Sequence, residues 1–268
     1  MPDPASTVAV IARSSVAPVN RESSLRSEQV TQLVYGETAA ILESNGEWCR
    51  IRTDLDAYEG WVHTGYVLEV GRERADEWRK SALGWSDGAR IRTPHGLVTL
   101  PLRARMVLAG NMVSLADGRR GEIVSGHALP IVESLASARA LAPERWAEER
   151  FGGAPYQWGG VTPCGVDCSG LVQTTFAARG LCVPRDARQQ ALVGQAVDPS
   201  SPIPGDLLFF TDGSDRITHV AFAADGGMLL HSTLACGGFV REPWSPGTRA
   251  AMLRERLVAV RRFEARPA

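Results

Sequence analysis

The stretch GVDCSGLV (residues 165–172) sets Cys168 between an aspartate and a serine, directly before a glycine and an apolar run. The apolar residues that follow recur at helical spacing, and Gly180 is typical of a helix C-cap. A helix is therefore predicted to begin at Cys168. Its thiol has four alternative roles: a buried structural group, half of a disulfide, a metal ligand or a nucleophile.

The composition is that of an ordinary globular chain of 268 residues, with 44% hydrophobic and 22% charged residues. This length suits one large domain or about two to three small ones. The formal net charge is -1, and no long run carries one sign. We therefore expect no nucleic-acid or membrane-surface partner held by bulk electrostatics.

The start of the chain, MPDPASTVAVIARSSV (residues 1–16), has neither a basic segment nor a long apolar core. No later segment has the length of an apolar membrane span, so we expect neither a signal peptide nor a membrane span. The five cysteines are odd in number and scattered, which indicates reduced thiols and a cytoplasmic location. An exported mature chain whose leader has been removed would carry the same pattern, so that alternative stays open.

The first half of the chain is predicted to consist of short strands and turns. Asn45-Gly46 between two strand-like segments is a strong hairpin signal. A charged stretch, residues 71–85, fits a short helix or a linker. A faint internal repeat favours two copies of a small β-barrel, with chance similarity between strand-rich segments as the alternative. The predicted domains are residues 1–70, which include an N-terminal extension, and residues 71–133, which include the linker.

The second half of the chain has mixed helical and strand periodicity. From about Ser134 the pattern is helical, with Pro143 at a first-turn position of the second half of this stretch. Two later strands are joined by Asp225-Gly226, which is again a hairpin signal. Residues 134–268 are therefore predicted to form one α+β domain.

A cysteine at a helix N-terminus faces unpaired backbone N–H groups and the positive end of the helix dipole. Both favour the thiolate and would lower the thiol pKa below its free value of about 8.5. His219 begins one predicted strand and His231 ends the next, so a hairpin brings them side by side. His219 is thus a candidate base for an ionised Cys168, and His231 can orient the ring of His219.

Each of these residues also has a structural interpretation. Most cysteines are inert, and a strand histidine is more often a satisfied core residue than a catalyst. Cys164 and Cys168 are four positions apart, but the sequence offers no two further ligands at the close spacing that structural zinc needs. A disulfide is disfavoured by the expected reducing compartment.

Short motifs occur in a fixed order along the second half of the chain. They are Tyr-x-Trp-Gly-Gly, Asp-Cys-Ser-Gly-Leu, Pro-Arg, Pro-Gly-Asp-Leu, His-Val and a second His, which begin at Tyr156, Asp167, Pro184, Pro204, His219 and His231. Together they resemble the NlpC/p60 family of papain-like cysteine peptidases, over about half of the chain. The resemblance implies that Cys168 is the nucleophile, His219 the general base and acid, and His231 the third polar residue.

The first half resembles bacterial SH3-like domains through SEQVTQLVYGE (residues 27–37) and GEWCRIRTDLDAYEGWV (residues 46–62). Two such barrels before a peptidase domain resemble the YkfC-type branch of the family. Its members are γ-D-glutamyl-L-diamino-acid endopeptidases, also called dipeptidyl-peptidase VI. The fold class implied is α+β, a papain-like catalytic domain preceded by two small SH3-like β-barrels.

The same branch implies a pocket in which Tyr58 and Asp167 receive the free amino end of an L-Ala residue. The other pocket residues implied by the resemblance are Ser169, Trp158, Tyr156 and, as a weaker match, Glu28.

A buried ammonium group without an anion and hydrogen-bond acceptors costs several kcal/mol. Asp167 would supply that anion about two substrate residues from the scissile bond, and such a pocket rejects N-blocked peptides. The structural alternatives are a helix N-cap for Asp167 and a core aromatic for Tyr58.

Three positions depart from the family pattern. Ala187 stands where the YkfC-type branch tends to have serine, so one substrate hydrogen bond is expected to be missing. Cys164 is expected to be a neighbouring thiol without a role, and Cys236 a small packing residue.

The resemblance implies hydrolysis, through a thioester, of the γ-D-glutamyl-diamino-acid bond in short murein peptides with a free N-terminal L-Ala, in peptidoglycan recycling. The expected partner is this small peptide, and no metal or cofactor is expected. Two alternatives stay open: an endopeptidase that trims stem peptides of the intact wall, and a wall-peptide-binding module with an idle peptidase domain. Acyl transfer by the same thiol and imidazole is a more distant option.

Overall fold

The computed structural model describes residues 8–263, and the chain divides into two compact units, Met1–Ser134 and Leu135–Ala268. Residues 1–7, which are part of the segment used to predict the absence of a leader, lie outside the described residues. Between residues 8 and 263 no helix is long and apolar enough to cross a membrane. The domain boundaries after residues 70 and 133 stay predictions.

The first unit begins with a seven-stranded antiparallel sheet in the order β3-β2-β6-β5-β4-β1-β7. Its strands are β1 (Val8–Ala12), β2 (Val16–Asn20), β3 (Gln29–Val34), β4 (Thr38–Asn45), β5 (Trp48–Thr53), β6 (Glu59–His63) and β7 (Val67–Gly71). All seven strands contribute buried apolar side chains to one core cluster, so the sheet is curled around it. A small curled sheet of this kind is what the SH3-like interpretation predicts.

Two local predictions for this region are confirmed. Strands β4 and β5 form the hairpin at Asn45-Gly46, and Gly46 has a φ of 57°, a left-handed conformation that glycine adopts without strain. The charged stretch contains helix α1 (Arg72–Ser81). Trp78 of this helix is buried and donates from its indole N–H to the carbonyl of Gly36 at 2.8 Å, which fastens α1 to the sheet.

A second sheet follows in the same unit, in the order β10-β11-β12-β8-β9, and an additional pairing of β10 with β8 closes it into a small barrel. Its strands are β8 (Gly84–Thr93), β9 (Gly96–Thr99), β10 (Arg105–Ala109), β11 (Met112–Ser114) and β12 (Arg120–Pro130). Strand β12 continues to Pro130 because shifts of register let it follow β8. Gly126 has a φ of +70°, and a Cβ there would lie 2.2 Å from the carbonyl oxygen of Gly88.

The two sheets of the first unit are joined through Tyr35, which is fully buried. Its hydroxyl accepts a hydrogen bond from the backbone N–H of Ala116 at 2.9 Å, and its carbonyl accepts one from the N–H of Arg105 at 2.8 Å. Arg103 and Glu37 form a largely buried ion pair across the same junction.

The second unit combines helices with a six-stranded antiparallel sheet in the order β15-β20-β16-β17-β18-β19. The helices are α2 (Ile131–Ala140), which begins in the first unit, α3 (Pro143–Phe151), α4 (Cys168–Ala178) and α5 (Ala187–Gln190). The strands are β13 (Val161–Thr162) and β14 (Gly165–Val166), which pair with each other, β15 (Gln195–Val197), β16 (Leu207–Thr211), β17 (Ile217–Ala224), β18 (Met228–Thr233), β19 (Gly238–Pro243) and β20 (Leu257–Arg262). This is the α+β arrangement expected.

Helix α4 is the centre of this unit. Every residue from Cys168 to Ala178 is buried, and the helix packs against β17 and β18. Those two strands form the hairpin predicted at Asp225-Gly226, with Ala224 opposite Met228. The packing therefore brings the first residue of a buried helix to a strand pair that carries both histidines.

We predict that Tyr35→Phe destabilises the protein by about 1–3 kcal/mol, because it leaves the buried N–H of Ala116 without its acceptor. Chemical denaturation measures the change in the free energy of unfolding. Tyr66→Phe, at a half-buried ring, is the matched control and should change it by less than about 0.5 kcal/mol. Equal effects of the two substitutions would contradict a stabilising role for the Tyr35 hydroxyl.

Candidate active site

Cys168 is the first residue of α4, and its position is set by the cap before it. Asp167 is the N-cap in an extended conformation, and its Oδ1 accepts the backbone N–H of Gly170 at 2.7 Å. The helix begins where the sequence predicts. The structural alternative for Asp167, a helix N-cap, is therefore confirmed.

Both oxygens of Asp167 have further partners. Oδ2 accepts the backbone N–H of Gly159 at 2.8 Å, and Oδ1 accepts the hydroxyl of Ser169 at 3.2 Å. Arg185 donates to the same carboxylate from two nitrogens, at 2.7 and 3.1 Å, and it also donates to the hydroxyl of Ser169 at 2.8 Å. Asp167 and Arg185 are 5% and 2% exposed. The carboxylate thus already holds a cation, and it is not a free anion waiting for a substrate ammonium group.

The two histidines form a hydrogen-bonded chain with a carboxylate. Nε2 of His219 lies 2.7 Å from Nδ1 of His231, with ring centroids 5.0 Å apart. Nε2 of His231 lies 2.8 Å from Oε1 of Glu242, and Arg249 pairs with the same carboxylate. The structure thus places His219 and His231 side by side, as the hairpin predicts.

The thiol of Cys168 lies beside the strand that carries His219. The backbone N–H groups of Val220 and Ser169 lie near the sulfur and favour its ionised form, which lowers the thiol pKa. Burial, reinforced by the neighbouring Asp167 carboxylate, raises the pKa of the Cys168 thiol to about 12. The sequence-based expectation of an ionised thiol is therefore wrong, because burial outweighs the helix N-terminus.

Burial also disfavours the charged form of the imidazoles, and for a base this lowers the pKa. It lowers the pKa of His219 to about 3, with smaller contributions from His231 and Arg249. Burial also lowers the pKa of His231, although the hydrogen bond to Glu242 opposes this effect. At neutral pH the Cys168 thiol and both imidazoles are consequently uncharged.

Tyr156 and Ser169, two of the remaining predicted pocket residues of this unit, lie near Cys168. Tyr156 is half-buried, and its backbone N–H is bonded to the carbonyl of Gly237. Burial raises the pKa of the Tyr156 hydroxyl, with contributions from Cys168 and Asp167, which therefore lie near it. Ser169 is buried and donates its hydroxyl hydrogen to Asp167, whereas Trp158 is 57% exposed.

Tyr58 and Glu28 belong to the first unit. Tyr58 is half-buried in the turn between β5 and β6, where its backbone N–H is held by side-chain oxygens of Thr53 and Asp56. Glu28 is exposed and pairs with Arg21 at 2.8 Å. The roles of both in substrate binding stay predictions.

None of the five cysteines forms a disulfide, and Cys236 is exposed, so the packing role predicted for it is wrong. Cys164 is also exposed, and Ala187 is buried at the start of α5. In the part of the chain from 8 to 263, no group of three or more His, Cys, Asp or Glu side chains is placed to hold a metal ion.

Sequence reasoning misses Glu242 and Arg249 and assigns no role to Arg185. The available signal for Glu242 is weak, because it is only an acidic residue inside a strand. In the pairing of β18 with β19, His231 lies opposite Val240, two positions before Glu242. Nothing local marks Arg249, which lies in a short 3-10 helix.

Comparisons with known proteins agree with this geometry. A model of the NlpC/P60 family matches residues 153–257, and a model of the bacterial SH3 domain matches residues 19–67. A Bacillus subtilis protein named gamma-D-glutamyl-L-lysine dipeptidyl-peptidase is 31% identical over 222 residues, 75% of this chain and 71% of the relative. A Bacillus cereus protein of the same name is 39% identical over 243 residues, 76% of this chain and 67% of the relative.

A solved structure supports the fold. The crystal structure of an NlpC/P60 family protein from Bacillus cereus ATCC 10987 has a TM-score of 0.76 and 20% sequence identity. The similarity covers 95% of this chain and 99% of that chain.

We predict that Cys168 gives no thiolate signal at neutral pH. Ultraviolet difference absorbance between wild type and Cys168→Ser should rise only above the free thiol value of about 8.5, toward about 12. The folded state binds this proton more tightly than the unfolded chain, so wild type should lose stability relative to Cys168→Ser as pH rises through that interval. Cys182→Ser is the control with an exposed thiol. A thiolate signal from Cys168 at neutral pH would contradict the prediction.

Arg185→Met is expected to destabilise the protein by about 3–5 kcal/mol, because it leaves the buried Asp167 carboxylate without its cation. The double variant Asp167→Asn/Arg185→Met should be more stable than Arg185→Met, because it removes the buried charge as well. Urea denaturation of both variants measures the change, with Arg188→Met at an exposed position as the control. A similar loss in Arg185→Met and Arg188→Met would refute the structural role of the pair.

Proposed function

The chain belongs to the NlpC/P60 family of cysteine peptidases, and on that premise we propose that it hydrolyses the γ-D-glutamyl-diamino-acid bond of short cell-wall peptides. One observation carries the proposal: two relatives that match most of this chain, and two thirds or more of their own length, are named gamma-D-glutamyl-L-lysine dipeptidyl-peptidase. The Cys168 thiol, which lies beside Val220 of the strand that carries His219, and the hydrogen-bonded His219 and His231 are the groups proposed to carry out the reaction.

The chemistry follows from the protonation states of the site. Because the Cys168 thiol is neutral, its proton passes to His219 as the sulfur attacks the γ-carbonyl carbon of D-Glu. The C–N bond then breaks, the amine of the diamino acid leaves with the proton from His219, and a thioester remains. Water, deprotonated by His219, hydrolyses the thioester and restores the thiol. Backbone N–H groups in the first turn of α4 are the proposed donors to the oxyanion.

The free amino end of the substrate is proposed to bind near Asp167. Tyr58, Ser169 and Trp158 are proposed as further pocket residues, with Tyr156 and Glu28 as the remaining two. Arg185 already pairs with Asp167, so a substrate ammonium group would share this carboxylate with the guanidinium group. Hydroxyl or carbonyl oxygens would have to accept its remaining hydrogen bonds.

We further propose a role in recycling wall peptides inside the cell, in the reducing cytoplasm. Five cysteines that form no disulfide support this location.

The deciding experiment incubates the purified protein with free L-Ala-γ-D-Glu-L-Lys, with the corresponding diaminopimelate peptide, and with the N-acetylated form of each. Mass spectrometry follows the release of L-Ala-D-Glu. We expect cleavage of the free peptides, and cleavage of the N-acetylated forms slowed about 10-fold or more, because a charge-assisted hydrogen bond contributes roughly 1.5–3 kcal/mol.

Cys168→Ala should abolish the release, and Cys182→Ser, at an exposed thiol, should leave it unchanged. Equal rates on free and N-acetylated peptides would exclude the amino-end pocket and favour an endopeptidase of the intact wall. Absence of cleavage of every peptide would refute the proposed activity.

A further inference from the structure

The second ring nitrogen of His231 has a buried carboxylate as its partner. Nε2 of His231 lies 2.8 Å from Oε1 of Glu242, and both residues are less than one tenth exposed. The register of β18 on β19 sets His231 opposite Val240, so Glu242 lies two positions further along the same face of the sheet. The contact is therefore built into the pairing of two regular strands.

Arg249 holds the same carboxylate from the other side. Its Nε donates to Oε2 of Glu242 at 3.0 Å, and its Nη2 contacts Oε1. This two-pronged contact fixes the plane of the carboxylate. Because the charges of Glu242 and Arg249 offset each other, the pair acts on His231 mainly through the direction of a hydrogen bond.

The direction of that bond determines which nitrogens carry protons. Paired with Arg249, the Glu242 carboxylate can only accept, so Nε2 of neutral His231 carries the hydrogen and donates it. Nδ1 of His231 then has a lone pair and accepts from Nε2 of His219. Neutral His219 is left with its lone pair on Nδ1, the nitrogen that the histidine chain does not use.

The opposite tautomers would disable the site. If His231 carried its proton on Nδ1, His219 would accept at Nε2 and carry its own proton on Nδ1. That nitrogen then has no lone pair with which to take a proton from the thiol. Because the Cys168 thiol is neutral at rest, with its pKa raised to about 12, a base is required at the moment of attack.

We propose that Glu242, clamped by Arg249, is a positioning residue that fixes the tautomers of both histidines and keeps Nδ1 of His219 free to accept the Cys168 proton. The role rests on the proposed function, since it matters to catalysis only where Cys168 is the nucleophile. Glu242 acts through His231 and touches no reacting atom.

The first test reads the tautomers directly. NMR of the full chain labelled with ¹⁵N-histidine distinguishes protonated from unprotonated ring nitrogens, and His231→Gln and His219→Gln assign the signals. In wild type we expect protons on Nε2 of both histidines. In Glu242→Gln a substantial share should move to Nδ1, because an amide N–H can donate to Nε2 of His231. A wild-type proton on Nδ1 of His231, or an unchanged tautomer in the variant, would overturn the proposal.

The second test measures kinetics on the free peptide. In serine peptidases the loss of a tautomer-setting carboxylate lowers kcat about 10⁴-fold, and here an imidazole intervenes, so we expect a fall of about 10- to 100-fold in Glu242→Gln. KM should change by less than about 3-fold, because Glu242 does not touch the substrate. The rate of alkylation of Cys168 by iodoacetamide should fall in parallel.

The matched control is Glu148→Gln, since Glu148 also pairs with arginines, Arg145 and Arg241, but outside the histidine chain. It should leave kcat, KM and the tautomers unchanged. Urea denaturation verifies that each variant is folded.

The double variant Glu242→Gln/Arg249→Met separates positioning from simple packing. In the single variant the donors of Arg249 draw the amide oxygen toward themselves and turn its N–H toward His231. Without Arg249 the amide oxygen can accept from His231, so we expect kcat to recover about 5-fold or more, with the Nε2 tautomers restored.

If the double variant recovers neither kcat nor the Nε2 tautomers, the proposal is overturned. Failure of wild type to cleave the peptide would defeat the proposed function alone, because the tautomers and the alkylation rate are measured without a peptide.

Discussion

The buried ion pair of Asp167 and Arg185 is the contact on which the geometry of the active site depends. It joins the cap of α4, the loop at Gly159 and the segment after α4 at one carboxylate. A buried pair of this kind is costly to break, because either partner alone would be an uncompensated charge. The ion pair therefore fixes the backbone conformation at Cys168 without a bound substrate. Arg185 neutralises the Asp167 carboxylate next to Cys168.

This arrangement determines the state of the thiol. A helix N-terminus favours an anion by at most about 2 kcal/mol, whereas full burial can shift a pKa by several units at about 1.4 kcal/mol each. Burial is the larger effect here, and it keeps both Cys168 and His219 neutral. With the proposed catalytic roles, the rate would depend on which nitrogen of His219 can take a proton, and the contact of Glu242 with His231 is the feature proposed to determine it.

The sequence predicts those parts of this site that are encoded locally. Apolar spacing and the Asp-Cys-Ser motif locate the start of α4, and the Asp225-Gly226 turn brings His219 and His231 together. Glu242 escapes prediction because its partner is defined by the register between two strands, and Arg185 escapes because its partner lies 18 positions away. The pKa of Cys168 is predicted in the wrong direction because a helix start is visible in a sequence and the burial of one sulfur atom is not. The extension of β12 to Pro130 depends in the same way on its pairing with β8.

The protonated state of Cys168 also has a chemical consequence for the resting protein. Peroxides attack thiolates rather than thiols, and the first product, a sulfenic acid, forms slowly when little thiolate exists. As a buried, uncharged thiol, Cys168 is thus expected to resist oxidation.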